Sequence, residues 1–551
     1  MRKLITILLL LISTYSYGQA VLSGSKGWNG QPDIGTAGAK GFGVGMCPPA
    51  ILPAELTELL GTRDITSDNY GNYMVTADSS IMVFIPIFYY KIWSDNSVFI
   101  KGYADYGMDT ATARLDSFAV HRAFINGGEL VEGFFVDKYS WSLTNVTWSG
   151  STQLTGIASS RYMANPISSK SGTKRVIDGT KDTYAGSFSN CISNSQSPTD
   201  NYLGAWSAAK SRGSNFALTS MYVESCLALL SLAHGQASSS ITNCGWYHAT
   251  NNFPKGNNNY GADYDDATCT FSACDDGYWL GRNEARKTGS ANTFSKSTHN
   301  GQNCGVSDMN GNQYTVCQGL TTLNVASKNI TAISKVAEAI FTINTHGYST
   351  DDIIQIQGSL SVAEWDNLIR YKFFKVTKVD DNTFKLRYPE TDAFVNTSAL
   401  ISDYTTGYNC TKGSFMTFKE SLAAKDVTGA NHFNSTFISA NFDAVSLFFA
   451  SGYASRFGNS TNQVLSGEPS RTNNAYMLSG LGLPMSSLAV SSSGSNSFGQ
   501  DYYYEWITGS LCPVRRGAWG GSSDAGAWSL HLNYISSYSY TFVSGRSCLY
   551  V

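Results

Sequence analysis

The feature that most restricts the possible folds is a change of character between residues 323 and 408, in the middle of the chain. Short apolar or alternating runs at 353–356, 373–376 and 383–386, with an Asp-Asp-Asn turn at 380–382, predict closely spaced β-strands. The preceding region has helical patterns instead. We therefore predict that residues 323–408 form a self-contained small β-barrel, inserted into a larger domain.

The clearest helical pattern covers residues 219–234. Thr219 or Ser220 can cap its start, and Gly235 follows its expected end. Leu227 and Leu230 lie at helical spacing, which is typical of a buried face. The segment is therefore interpreted as a core helix.

The N-terminus has the layout of a secretory signal peptide. Arg2 and Lys3 precede a largely apolar run of nine residues, and small residues stand at Gly18 and Ala20. A run of nine residues is too short to span a bilayer. Residues 1–20 are predicted to be a leader, with a mis-assigned start of the chain or a short buried helix as the alternatives. Residues 21–130 are predicted to form a β-rich attachment region.

Eleven cysteines are present, and six of them lie between residues 226 and 317. If the leader functions, an oxidising compartment favours disulfides among them. A zinc site would depend on Cys244 with His248 and on Cys269 with Cys274, which is looser than the usual paired spacing. No metal is predicted.

Composition favours binding over chemistry. Only 14% of residues are charged and the net charge is −3, so nucleic acid is not an expected partner. Aromatic residues make up 13%, including 32 Tyr, which is the composition of antigen-combining loops. Because neither a Gly-x-Ser-x-Gly nor a His-Glu-x-x-His motif occurs, no catalytic residues are predicted.

Five separated segments carry a family resemblance. They are 133–139 (GFFVDKY), 211–219 with Glu224 downstream, 308–314 (DMNGNQY), 515–519 (RRGAW) and 545–548 (GRSC). In this order they resemble the formylglycine-generating, C-type-lectin-like family. The resemblance implies an α+β, C-type-lectin-like fold divided between residues 131–322 and 409–551, with the β-barrel as the insertion.

The enzymatic branch of that family is a copper-dependent oxidase with two cysteines a few residues apart, shortly after the segment matched here by 515–519. Residues 519–529 contain no cysteine, and Cys512 and Cys548 are far apart in the sequence. A thiol pair cannot be replaced by Ser or Gly and still work. The chain is therefore predicted not to be an enzyme and to need no cofactor. The oxidase remains the least favoured alternative.

Residues 515–551 resemble the variable region of proteins diversified by retroelements that mutate adenines, so that Asn codons become other codons. The resemblance implies leading ligand-binding positions at His531, Tyr534, Tyr538, Tyr540 and Phe542. Further ligand-binding positions are Ala518, Gly520, Gly521, Asp524, Ala527 and Ser544. The implied scaffold positions are Arg516, Gly517, Trp519, Trp528, Leu530, Leu532, Gly545 and Arg546.

Strand alternation gives this segment a physical interpretation. Leu530 and Leu532 share one face and are expected to be buried, while His531 faces the other way. Three tyrosines, 534, 538 and 540, are then candidates for one exposed patch of the residue type common at binding hot spots. The alternative is a Tyr/Ser-rich edge strand that packs on its own domain.

Upstream segments at 41–47, 68–73, 88–90, 121–124 and 229–237 resemble phage tail fibre proteins, and residues 346–352 and 374–386 resemble small β modules of tail proteins. The expected function is a non-enzymatic, tail-fibre-like adhesin. Its partners would be a cell-surface receptor, protein or glycan, and other tail proteins, and it would form a homo-oligomer such as a trimer. The expected location is a virion tail. If the leader functions, the protein would instead be secreted or at the cell surface, as an exported bacterial adhesin.

Overall fold

The computed structural model describes most of the chain from residue 31 onward. The described ranges are 31–95, 97–149, 152–170, 187–191, 199–249, 252–258, 261–273, 286–389, 391–447, 454–457, 465–467, 470–484, 490–491 and 501–551. The predicted leader at 1–20 and Cys274 lie outside these ranges. In the described part of the chain, no helix is both long and apolar enough to cross a membrane.

The protein is a mixed α and β structure in which strands predominate, as the α+β prediction requires. Its strands, numbered in chain order, are β1 Leu56–Glu58, β2 Asn72–Val75, β3 Ile81–Pro86, β4 Phe88–Ile92, β5 Val98–Gly102, β6 Ala119–Val120, β7 Ile125–Asn126, β8 Glu129–Leu130, β9 Gly133–Asp137, β10 Trp141–Ser149, β11 Thr152–Ser160, β12 Ala217–Leu218, β13 Asn257–Asn258, β14 Ala262–Asp263, β15 Phe271–Ala273, β16 Arg286–Ala291, β17 Tyr314–Val316, β18 Leu320–Asn329, β19 Ala332–Ile333, β20 Ile340–Thr342, β21 Ile353–Gly358, β22 Phe373–Lys378, β23 Thr383–Arg387, β24 Tyr408–Phe418, β25 Phe442–Val445, β26 Ala454–Phe457, β27 Val490–Ser491, β28 Tyr502–Glu505, β29 Val514–Arg515, β30 Leu530–Leu532, β31 Val543–Ser544 and β32 Ser547–Tyr550. Its α-helices are α1 Tyr103–Tyr106, α2 Thr110–Leu115, α3 Ala205–Ala209, α4 Met221–Ala237, α5 Ala363–Ile369, α6 Gly429–His432, α7 Ser435–Asn441 and α8 Asn474–Leu481.

Helix α4 is the central helix of the core. Ser220 caps it, because its side chain accepts a hydrogen bond from Val223 N, and the helix is buried on all sides as far as Gly235. The expected end before Gly235 is wrong, since the helix continues to Ala237. A Cβ at Gly235 would lie 2.2 Å from the carbonyl oxygen of Asn252. Gly235 therefore allows a close approach rather than ending the helix.

A six-stranded sheet joins early and late parts of the chain, in the order β1-β2-β3-β9-β32-β12. Strand β9 lies between β3 and β32, with Phe135 opposite both Phe84 and Leu549. These three side chains share one hydrophobic cluster. Strands from the predicted attachment region and the C-terminal strand thus belong to one sheet.

The predicted strands at 353–356, 373–376 and 383–386 are confirmed as β21, β22 and β23. They belong to a sheet with the order β18-β24-β21-β22-β23-β20-β19, which encloses its own hydrophobic cluster around Trp365 and Phe384. Residues 286–389 and 391–447 contain no pairing of β19 with β18, so the sheet is not closed into the predicted barrel. Helix α5 packs Trp365 into the cluster instead.

Two long paired strands, β18 and β24, connect this sheet with the main core. At one end Leu320 lies opposite Thr417, and at the other Asn329 lies opposite Asn409. Leu320 belongs to the main hydrophobic cluster, whereas Cys410 of β24 belongs to the cluster of the inserted region. The pair of strands is therefore the stem on which the inserted region is built.

The ten described cysteines are all buried, unpaired thiols. Disulfides were expected between residues 226 and 317, but none forms among the five described cysteines of that range. Burial raises the pKa of the Cys269 thiol to about 11 and that of Cys244 to about 12. Within the described ranges, no group of three or more His, Cys, Asp or Glu residues could hold a metal ion.

Candidate binding surface

A buried ionic network connects the five motif segments, and its first centre is Asp137 at the end of β9. The carboxylate accepts hydrogen bonds from Arg212 Nη1 at 2.5 Å, Trp141 Nε1 at 2.9 Å and Ser547 N at 2.7 Å. Both side chains of the Asp137–Arg212 pair are fully buried. Asp137 therefore ties the first motif segment to the second and to the C-terminal strand.

The second centre of the network is formed by two buried arginines. Arg516 Nε donates to Glu224 Oε2 at 2.7 Å, which joins the segment at 515–519 to helix α4. Arg546 donates to the carbonyl oxygens of Asp137 at 2.9 Å and Ser307 at 2.7 Å. Burial lowers the pKa of Arg546 to about 9. Residues 516 and 546, which flank the predicted variable positions, are thus anchored in the core.

All eight predicted scaffold residues are buried. A Cβ at Gly517 would lie 1.9 Å from the Cβ of Ala525, and one at Gly545 would lie 2.3 Å from the ring of Trp141. Leu530 and Leu532 are fully buried, as strand alternation predicts. Only glycine fits at the two close approaches.

His531 faces away from the two leucines, but the expectation that it is exposed is wrong. Its ring lies 4.4 Å from that of Tyr504 and 5.7 Å from that of Tyr534, and its Nε2 is 3.1 Å from the hydroxyl of Tyr314. Burial lowers its pKa to about 3. Strand β30 ends at Leu532, and the following loop folds back over the sheet face to which His531 points.

This loop, residues 533–542, is called the aromatic loop here. Its four large rings lie side by side: Tyr534–Tyr538 at 5.8 Å, Tyr538–Tyr540 at 5.7 Å and Tyr540–Phe542 at 4.7 Å between ring centres. Tyr538 is 37% exposed, and the other three are half-buried. Residues 533–542 include no charged side chain. The loop therefore presents neutral rings and hydroxyls.

The backbone of the aromatic loop is held by residues outside it. Its amide and carbonyl groups make hydrogen bonds of 2.8–3.1 Å with the main chain of Tyr202, Leu203, Tyr314, Ser510 and Cys512 and with the side chains of Ser169 and Gln313. These bonds use backbone atoms of the loop, so they do not depend on which side chains the loop carries. The conformation can therefore persist when the rings change.

The second set of predicted ligand-binding positions divides by exposure. Gly520 is exposed, and Ala518 and Gly521 are half-buried. Asp524, Ala527 and Ser544 are buried, which corrects their expected role as ligand contacts. The carboxylate of Asp524 pairs with Arg456, and Ser544 lies in β31 opposite Thr315.

Four tyrosines outside the predicted positions complete the cluster. Tyr202 lies 5.9 Å from Tyr534, and Tyr314 lies 5.8 Å from Phe542. Tyr502 contacts Tyr504, which stacks on His531. The run of three tyrosines at 502–504 was the available sequence signal, but residues 202 and 314 are brought in only by the fold.

Cys512 and Cys548, the remaining thiols considered for an oxidase, lie next to different sheets or within them. Cys512 precedes β29 of the seven-stranded sheet β27-β26-β28-β30-β29-β17-β31, while Cys548 is in β32 of the six-stranded sheet. Burial raises the pKa of both thiols. The Cys548 thiol donates to the carbonyl of Leu218.

A scan against protein-family models and a search of curated proteins give no match to the chain. The function is therefore inferred from the aromatic loop and its surroundings.

Proposed function

We propose that the protein is a non-enzymatic receptor-binding protein, a tail-fibre-like adhesin whose aromatic loop contacts a cell-surface receptor, protein or glycan. One observation carries the proposal. The loop's backbone is held from outside while its rings form a neutral, partly exposed surface. Tyrosine rings provide rigid contact area at low entropic cost, and such residues are enriched at binding hot spots.

The scaffold of this proposal is a C-type-lectin-like domain. Its support is the convergence of the five motif segments on the buried network of Asp137, Glu224, Arg516 and Arg546. Each buried charge of this network needs its partner, because an unpaired buried charge is strongly destabilising. Residues that meet at one buried ionic centre can therefore form recognisable motifs although they lie far apart in the sequence. On this proposal the protein acts at a phage tail, with other tail proteins and further copies of the chain as partners.

The loop is further proposed to be diversified. A near-repeat of codons 515–551 is then expected elsewhere in the source genome, beside a reverse-transcriptase gene and differing mainly at adenines. Sequencing the region around the gene checks this expectation. A genome without such a repeat would rule out diversification, while leaving the binding role of the loop intact.

The binding role is tested by replacing Tyr534, Tyr538, Tyr540 and Phe542 together by Ser. Binding of the fluorescently labelled full chain to a panel of intact bacterial strains, measured by flow cytometry, should fall at least about 100-fold on every strain that the wild type binds, because hot-spot rings typically contribute 2 kcal/mol or more each. Circular dichroism should remain that of the wild type, since the loop is held through its backbone.

A matched control replaces four exposed apolar residues elsewhere by Ser. These are Leu60, Leu115, Ile241 and Ile401, which are 96%, 86%, 72% and 88% exposed. The control variant should bind like the wild type. Undiminished binding by the quadruple loop variant would refute the aromatic loop as the receptor site.

A further inference from the structure

A cleft of about 750 Å³ lies away from the aromatic loop and shares no lining residue with it. Its walls are the hairpin of β4 and β5, residues 33–37 and the last turn of α4. This volume is within the range of ligand-binding clefts, roughly 300–1,000 Å³. All five residues of β5, Val98–Gly102, line it.

Strand β5 is the edge of its sheet, which has the order β5-β4-β6. On β4, the carbonyl of Phe88 accepts from His121 N, and Ile92 exchanges two hydrogen bonds with Leu465. These peptide groups therefore point away from β5. Gly102 lies opposite Phe88, and Val98 lies opposite Ile92. In such non-hydrogen-bonded antiparallel pairs, the peptide groups of Val98 and Gly102 point away from β4 as well. By the same alternation the peptide group of Ile100 faces the cleft side.

Side chains cap both ends of this edge but not its middle. Val98 N donates to Gln236 Oε1, and Gly102 N donates to Asp105 Oδ2, each at 2.9 Å. Among the described residues, Ile100 has no hydrogen-bond partner on the outward side. The two caps also fix the edge against α4 and α1, so the cleft is formed in advance. An edge strand with free peptide groups is a template for another strand.

Lys91 adds a charge to the cleft. Its Nζ lies 4.5 Å from the ring centre of Phe118 and 5.4 Å from those of Trp93 and Phe99. Lys91 makes no ion pair with any described carboxylate, whereas Lys101 in the same cleft pairs with Asp105 at 2.9 Å. The ammonium group of Lys91 is therefore available to an acidic group from outside.

We propose that this cleft binds an extended peptide segment of a partner protein, which adds to β5 through the peptide group of Ile100 and places an acidic side chain beside Lys91. The edge of five residues is about 17 Å long at roughly 3.3 Å per residue, so the segment is short. Recognition by strand addition combines main-chain hydrogen bonds with pockets for alternate side chains. The proposal is independent of the receptor-binding role of the aromatic loop.

The test uses the full chain and a yeast-displayed library of random nine-residue peptides as the probe. Selection should enrich extended peptides with an acidic residue, and these should bind I100P at least about tenfold more weakly, because proline removes the outward N–H donor. Proline at an edge position leaves the ladder to β4 intact. I100V controls for the side chain and should bind like the wild type.

Two further measurements keep the test decisive if I100P does not fold. Lys91→Met should weaken the enriched peptides by roughly threefold to tenfold, and saturating peptide should slow amide exchange at Ile100 in the wild type. Failure to enrich any peptide would overturn the proposal. Enriched peptides that bind I100P and Lys91→Met as tightly as the wild type, or leave exchange at Ile100 unchanged, would overturn it as well.

Discussion

Replacing Arg516 by Met should lower the free energy of unfolding by about 3–5 kcal/mol, because it breaks a buried ion pair. The substitution leaves Glu224, which is 1% exposed, as a buried carboxylate without its cation. It also removes a donor to the carbonyl of Ser307. Urea unfolding followed by tryptophan fluorescence measures the loss.

The control for this prediction is a double variant that also replaces Glu224, the partner of Arg516. Glu224→Leu combined with Arg516→Met removes both charges, so most of the lost stability should return, because an apolar pair of similar volume can replace a buried ion pair. A double variant no more stable than Arg516→Met would show that the cost comes from packing. A single variant as stable as the wild type would contradict the importance of the network.

Lowering the pH from 7 to 5 should also destabilise the protein, by a net amount of about 3 kcal/mol. Burial lowers the pKa of four histidines from 6.5 to about 3: His121, His299, His432 and His531. The unfolded chain therefore binds more protons than the folded one between pH 6.5 and pH 3. At pH 5 each of these histidines lowers the free energy of unfolding by about 2 kcal/mol, since pH 5 lies about 1.5 units below the unfolded pKa and one unit corresponds to about 1.4 kcal/mol.

Two buried carboxyls act in the opposite sense and reduce this loss. Desolvation raises the pKa of Asp263 to about 8 and that of Asp501 well above its usual value, so both favour the folded state as the pH falls toward 3.8. Unfolding midpoints at pH 7 and pH 5 measure the net effect, and His531→Phe should reduce the difference by about 2 kcal/mol. Identical midpoints at the two pH values would contradict the prediction.

Several features could be predicted from sequence because they depend on local patterns. The period-2 alternation correctly indicated that Leu530 and Leu532 are buried, and short apolar runs correctly located β21, β22 and β23. The order of five motifs selected residues that the structure brings to one buried network. Tyr534, Tyr538 and Tyr540, which were expected to form one exposed patch, do lie next to one another, but only Tyr538 is exposed.

The burial of each side chain could not be predicted from the local sequence, because it depends on which other parts of the chain pack against that side chain. His531 alternates with two leucines, which the sequence alone determines, but only the tertiary structure decides that the aromatic loop and Tyr504 cover it. Asp524 and Ser544 were expected to contact a ligand, but other parts of the chain bury both side chains. Tyr202 and Tyr314 join the site through contacts over more than 200 residues, which no local period can encode. The sequence determined a neutral, aromatic segment, and the fold decided which of its rings a partner can reach.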